Sequence, residues 1–233
     1  MERQFELHLG KLRTRIIKMS SLVEEQLEFA IKAFNEEDLK LAELVTEREL
    51  KVNKLDRKIE KTCQKIIALS QPVAMDLRLV ISALTINTNV ERIGDLAEHI
   101  ARSFINLGKK PYFLAKTKYS EMTDLVKKMI RNAIDSFNNN DAELAKKVIE
   151  MDNQLDSLFA ENRKLIISIM KENSDNIDEA LSILEISRHM ERIGDHATNI
   201  AEDVYFIVEA QLIKHKYEKY IFSEISDEDE EDE

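Results

Sequence analysis

Turn-forming residues are almost missing from this chain: four glycines and two prolines are spread over 233 residues. With so few places to break a helix, and with Leu, Ile, Ala, Glu and Lys abundant, the expected class is all-α. A lone cysteine, Cys63, excludes an internal disulfide, and the charged first residues lack the apolar core of a secretory signal. A reducing, cytoplasmic setting is therefore expected. No apolar run approaches the roughly 20 residues that span a bilayer. The Gly-rich phosphate loop, the Gly-x-Ser-x-Gly elbow, paired cysteines and His-Glu-x-x-His are missing as well, which leaves catalysis without a visible home. No histidine has a glutamate three residues before it, so the Glu-x-x-His ligands of ferritin-like diiron enzymes are not found. Positive charge is also short. The formal net charge is −11, and the seven consecutive acids Asp227 to Glu233 leave about −4 on the remainder. Such a body offers little counterion release to a phosphate backbone, and direct nucleic-acid binding is not expected. The stretch 217–233 reads as a solvated, disordered acidic tail.

What is present is a duplication. Glu-Arg-Ile-Gly-Asp occurs at Glu91 to Asp95 and again, 100 residues later, at Glu191 to Asp195. Around it, apolar residues advance in steps of three and four in both copies: Ala83, Ile86, Val90, Ile93, Ala97 and Ile100 match Ile183, Ile186, Met190, Ile193, Ala197 and Ile200. That stepping is the seam of a bundle helix. Upstream, Ala30, Ile31, Phe34, Asn35 and Asp38 answer Ala133, Ile134, Phe137, Asn138 and Asp141 at a spacing of 103. The three-residue difference falls near Gln71-Pro72 and near Asn173 to Asp175, where loops belong. A second seam, from Leu41 to Leu69 and from Leu144 to Ile169, marks the middle helices. Each copy reads as three helices, over 3–35, 38–70 and 73–107, then 119–139, 141–171 and 174–215. A helix of ~30 residues with one apolar stripe becomes dry by packing on two antiparallel neighbours. The expectation is two tandem antiparallel three-helix bundles, six helices in total. The first repeat covers 1–108, a linker marked by Gly108 and Pro111 covers 109–118, and the second repeat covers 119–216.

Within the repeated pentapeptide, Glu91 and Asp95, like Glu191 and Asp195, stand four apart on one helical face. That face is read as turned away from the seam and accessible. Glu98 extends the first pair by a turn; in the second copy Thr198 takes that position and Glu202 follows. Asp152 and Asp156 repeat the spacing on a middle helix, and their counterparts Glu49 and Asn53 form a weaker version, with Asp56 a turn on. If middle and third helices are antiparallel neighbours, these acids converge into all-oxygen sites suited to Mg, Ca, Mn or iron. A solvated charged face is the plainer alternative. Arg92 and Arg192 differ from the acids in direction around the helix and would neutralise them only in part. Gly94 and Gly194 each cost ~1 kcal/mol mid-helix relative to alanine. Close packing against another backbone, or room for a bound cluster, would account for them. His189 and His196 read first as polar surface and second as ligands.

A tandem three-helix duplication with this pentapeptide in each third helix resembles the PhoU family of bacterial phosphate-signalling regulators. The resemblance covers nearly the entire chain, including Ile67 to Pro72, Asp76 to Val80 and Glu191 to Glu202. It implies acidic pairs that hold multinuclear metal clusters on the bundle surface, mapping here to Glu91/Asp95, Asp152/Asp156 and Glu191/Asp195. Glu98, Glu202 and, more weakly, Glu49 stand beside them, and iron, manganese or magnesium would be the metal. It also implies a non-enzymatic role: negative control of phosphate uptake and of the phosphate-starvation response. The chain would be an adaptor between the ATPase subunit of a phosphate ABC transporter and a sensor histidine kinase, reaching the membrane only through these partners. A homo-oligomer, a homodimer in the simplest case, is also expected. Two readings of the same residues stand beside this one: a metal-dependent carboxylate enzyme, and a purely structural helical scaffold.

Overall fold

Apolar residues three and four apart give each helix one continuous stripe, and the stripes face one another along the helices' length. The computed structural model describes residues 2–213; the acidic tail over 217–233 lies outside them. Six helices follow in order: α1 (Glu2–Glu36), α2 (Leu39–Ser70), α3 (Ala74–Leu107), α4 (Tyr119–Asn139), α5 (Ala142–Glu172) and α6 (Ile177–Glu209). Single 3₁₀ turns at Leu114–Lys116 and Ser174–Asn176 precede α4 and α6, and no strand occurs among the described residues. Helices α1 to α3 form one antiparallel bundle and α4 to α6 another. Both cores are closed, with Ile86, Ile93, Ile100 and Phe104 buried in the first and Ile186, Ile193, Ile200 and Val204 in the second.

The two copies share local devices. Asp38 and Asp141 cap α2 and α5, accepting from Leu41 N at 3.0 Å and Leu144 N at 2.9 Å; such a cap is worth ~1 kcal/mol. Gly108 ends α3 at φ +75°, its N–H donating to the Phe104 carbonyl at 2.8 Å. The segment that follows folds down: Pro111 and Phe113 are buried, and Asn176 Nδ2 donates to the Tyr112 hydroxyl at 3.0 Å.

The bundles join through α3 and α6, which pack as extensively as α5 and α6 do. They run antiparallel: Thr85 donates to Asp203 at 2.6 Å, Asn199 to Asn89 at 3.3 Å, and the rings of His99 and His189 lie 5.3 Å apart. Shifting by 100 residues exchanges the 89/199 pair with the 189/99 pair, so the repeats are related by an approximate two-fold axis through this interface.

Two expectations need correction. Helix α6 stops at Glu209 with Ala210 left-handed at φ +57°, short of residue 215. Its last core residue is Ile207, and the exposed Glu209 to Leu212 find nothing to pack against. Leu69, assigned to the seam of the second helix, is 63% exposed, because α2 ends beyond the reach of its neighbours.

Candidate functional site

Because α2 lies beside α3 and α5 beside α6, the acidic pairs on these helices do converge, once in each bundle. In the first, Glu49 is only 5% exposed. Gln26 Nε2 donates to its Oε2 at 2.8 Å and to the Gly94 carbonyl at 3.2 Å, and Asn53 Nδ2 donates to its Oε1 at 3.1 Å. Burial pushes the Glu49 carboxyl up to about 7; the Gln26 hydrogen bond opposes the rise, and the charges of Asp95, Glu98 and Glu91 add to it. Glu91 is also raised, by burial and then by Asp95. This cluster is largely neutralised from within the chain. Arg92 lies 3.6 Å from Glu91 and 3.1 Å from Asp95, while Arg102 donates twice to Glu98, at 2.7 and 3.1 Å. Asp56 accepts from Asn87 at 2.6 Å. The accessible face expected from the spacing is instead half-buried: the side chains of Glu91, Asp95 and Glu98 are 20%, 28% and 14% exposed. Glu49, the weaker acid by sequence, is the most buried of the set, because α2 turns it inward against Gly94.

The second cluster has the same plan and less compensation. Burial, then Glu191, Asp152 and Asp156, push Asp195 up to about 6. Glu191 and Asp152 are raised too, each by burial first and by Asp156 next. Among the described residues none of these four acids forms an ion pair, and the buried Asp152 Oδ1 has the Thr198 hydroxyl near it, which opposes the rise in the Asp152 pKa. A cleft of about 750 Å³ opens beside them, where Glu191 and Asp195 meet Phe159, Leu184, Arg163, Arg188 and Arg192. Glu202 lies further along the same helix. It stands two turns, roughly 10 Å of helix rise, beyond Asp195 on α6.

Among the described residues no three His, Cys, Asp or Glu side chains already stand as a ready ligand set. The chemistry of the donors nevertheless fits a hard divalent cation: oxygen only and negative charges crowded, with Asp152 and Glu191 half-buried and Asp156 and Asp195 open to an incoming ion. The second cluster is the less compensated of the two: Arg188 and Arg192 act on it from a distance, whereas Arg92 and Arg102 pair directly with the acids of the first.

The glycines serve packing. A Cβ on Gly194 would overlap Leu155 Cδ2, and one on Gly94 would meet Glu49 Oε2 at 3.2 Å and Val23 Cγ2 at 3.3 Å. His189 and His196 are not surface residues. Both sit half-buried in the α3–α6 interface, where His196 Nδ1 lies 2.9 Å from Asn89 Oδ1. Sequence reasoning passed over Gln26 and Asp203. The available signal for Gln26 was its alignment with Met129 at the 103-residue spacing, a polar side chain at a core position. Asp203 gave none, since its partner Thr85 comes from the other repeat.

Comparison with known proteins agrees in sequence and in shape. The PhoU domain family model matches residues 16–104 and 119–204, one match per bundle. A Pseudomonas putida protein called "phosphate-specific transport system accessory protein PhoU homolog" is 35% identical over 97% of this chain and 88% of its own length. An Aquifex aeolicus protein of the same description is 36% identical over 91% and 96%. The crystal structure of PhoU from Pseudomonas aeruginosa superposes with a TM-score of 0.85 at 35% identity, covering 89% of this chain and 100% of that one. The phosphate transport system regulatory protein PhoU from Streptococcus pneumoniae gives 0.82 at 28%, covering 90% and 99%.

Proposed function

This chain belongs to the PhoU family, and we propose from that premise that it is a regulatory accessory protein of a phosphate transport system, acting by docking and without a catalytic step of its own. The observation that carries the reading is the span of the likeness: relatives named as accessory proteins of phosphate-specific transport align along nearly the whole of both chains. In this role it restrains phosphate uptake and the starvation response, as an adaptor between the transporter's ATPase subunit and a sensor histidine kinase at the cytoplasmic face, and it works as a homodimer. No described helix is long and apolar enough to cross a membrane, which is consistent with contact through partners. The two repeats, over 1–108 and 119–216, act as its structural units.

The carboxylates enter this reading as metal sites. Asp152, Asp156, Glu191 and Asp195 would hold iron, manganese or magnesium, with Glu49, Glu91, Asp95 and Glu98 a second, partly neutralised set. A bound cation would add to the partial compensation that Arg188 and Arg192 give these four crowded carboxylates, and so fix the shape and charge of the face formed by α5 and α6. That face is open rather than an enclosed pocket, which favours a docking surface over the carboxylate-enzyme alternative.

Deleting the gene tests the role. The expected result is raised phosphate uptake and starvation-gene expression in phosphate-rich medium; unchanged levels of both would sink it. Metal content measured after chelator-free purification tests the sites. Asp152→Asn with Asp195→Asn should lose bound metal, whereas Glu91→Gln with Asp95→Asn should retain most of it. Wild-type protein free of metal would leave the acids as surface charge.

A further inference from the structure

The negative net charge conceals a basic groove on the outer side of the first bundle. Along α2, Lys51, Lys54, Lys58, Lys61 and Lys65 follow at steps of three and four and so share one face. Lys11, Arg15 and Lys18 answer them from α1. Arg15 sets the two rows against each other, donating to the Lys58 carbonyl at 3.3 Å and to the Thr62 hydroxyl. Two adjoining hollows lie between the rows, of about 340 and 440 Å³. His8, Lys11, Arg15, Lys58, Lys61 and Lys65 line the first, which contains no carboxylate. Leu22 and Leu55 line the second, whose one acid, Glu25, is held by Arg48. Among the described residues none of these seven lysines is in an ion pair, although other lysines of the chain are. Like charges gathered in one groove repel one another and attract an anion.

The chain carries an anion of matching form. Its last seven residues, Asp227 to Glu233, are all acidic, and Tyr220, Ile221, Phe222 and Ile225 precede them. The route to the groove follows from contacts at one end of the molecule. Near the end of α6, the Lys146 ammonium of α5 lies 5.3 Å from the Tyr205 ring centre. The turn before α5 is tied to α1 by Arg13, which donates to Asn140 at 3.0 Å, and Arg13 is two residues from the groove's Arg15. The chain therefore leaves α6 at the end that holds the start of α1 and the close of α2. Apolar side chains lie open there, among them Leu7, Leu69, Val73 and Met75. From Ile213 to Asp227 the backbone can extend about 48 Å, against helix spacings of about 8–10 Å. Seven extended acids cover ~24 Å; Lys51 to Lys65 cover ~21 Å of helix.

We infer that the acidic C-terminal segment docks on the lysine groove between α1 and α2 of its own chain, with Tyr220 to Ile225 crossing the apolar end of the first bundle. An external anionic surface seeking that groove has to displace the segment first. The inference stands apart from the phosphate-regulatory reading, since it concerns a different face.

Carbodiimide cross-linking of the full-length chain tests it, because the reagent joins carboxylates to amines in direct contact. An equal mixture of ¹⁴N- and ¹⁵N-labelled protein separates links within one chain from links between two. Expected are links from 227–233 to Lys11, Lys58, Lys61 and Lys65 within one chain, abundant at low salt and suppressed near 1 M salt, where screening reaches ~3 Å. Replacing Lys58→Glu and Lys61→Glu, both exposed, should cut the links to the retained Lys11 and Lys65 by roughly tenfold without changing the helical circular dichroism. Three results would overturn it: links spread over remote lysines such as Lys128 and Lys164, links that join light to heavy chains, or links to Lys11 and Lys65 that survive the charge reversal.

Discussion

A methyl group on Gly194 would overlap the Leu155 side chain, which is fully buried, as is Met129 on the same side of the glycine, so any shift has to be made inside a packed core. Overpacking of this kind costs about 1–3 kcal/mol, while alanine returns about 1 kcal/mol of helix propensity. Gly194→Ala should therefore lose on the order of 1 kcal/mol in urea unfolding, and Gly94→Ala, with contacts of 3.2 Å and longer, should be close to neutral; the reverse order would mean that the glycines are not packing devices. Glu49 makes a second prediction at this scale. Its folded pKa, about 7, stands above the unfolded value of 4.5, so the folded state binds the extra proton and stability falls as pH rises between the two. Glu91, Asp152, Glu191 and Asp195 are displaced in the same direction. Glu49→Gln should flatten that fall and leave the variant more stable than wild type at pH 8, by about 1–2 kcal/mol. Equal pH slopes in the two proteins would contradict the buried, charged carboxyl. The acids themselves were legible in the sequence, because spacing of four shows that two carboxylates share a face. Their burial was not: which way that face turns depends on Gly94 admitting α2, and on Arg92 and Arg102 folding back over the acids.

Between elements, the interface of α3 and α6 sets the opposite limb of the pH profile. Burial, then Arg192 and Arg92, lower the pKa of His196; burial, then His99, lower that of His189. A base held below its unfolded value of 6.5 favours the neutral form in the folded state, so stability is lost as pH falls through 6.5. His196 is the counterpart of the buried Leu96, which suggests the test. His196→Leu should gain most relative to wild type at pH 5.5 and little at pH 8, where the lost Asn89 contact offsets the added apolar burial. The same difference in urea midpoint at both values would dismiss the charge argument. The helices were legible because stepping by three and four persists wherever a neighbour demands it. The end of α6 was not, since the pattern runs on for residues with nothing to pack against. The place of the histidines was equally hidden: a repeat reveals what each copy does alone, whereas 89/196 and 99/189 are contacts between copies.

At the scale of the molecule, the question is whether two bundles make one folding unit or two. Short-range logic says two, since each closes its own core. The packing of α3 on α6 says one, because it is as extensive as the contacts inside a bundle and is crossed by polar contacts of the buried Asp203 with Thr85 and of Asn89 with the half-buried His196. Separating the bundles would break the hydrogen bonds that cross the interface and expose apolar surface at about 25 cal/mol per Å². The full-length protein should therefore unfold in one calorimetric transition, with van't Hoff and calorimetric enthalpies equal. Manganese adds a sharper test. If it binds chiefly at Asp152, Asp156, Glu191 and Asp195, it stabilises the second bundle by mass action, about 2.7 kcal/mol at a hundredfold excess over Kd. A coupled molecule passes that gain to the first bundle, so the fluorescence of a probe attached to α1 should melt at the same raised temperature as one on α4. If the α4 probe alone shifts, the interface is a contact between independently folding repeats, and the two-fold arrangement carries no cooperativity.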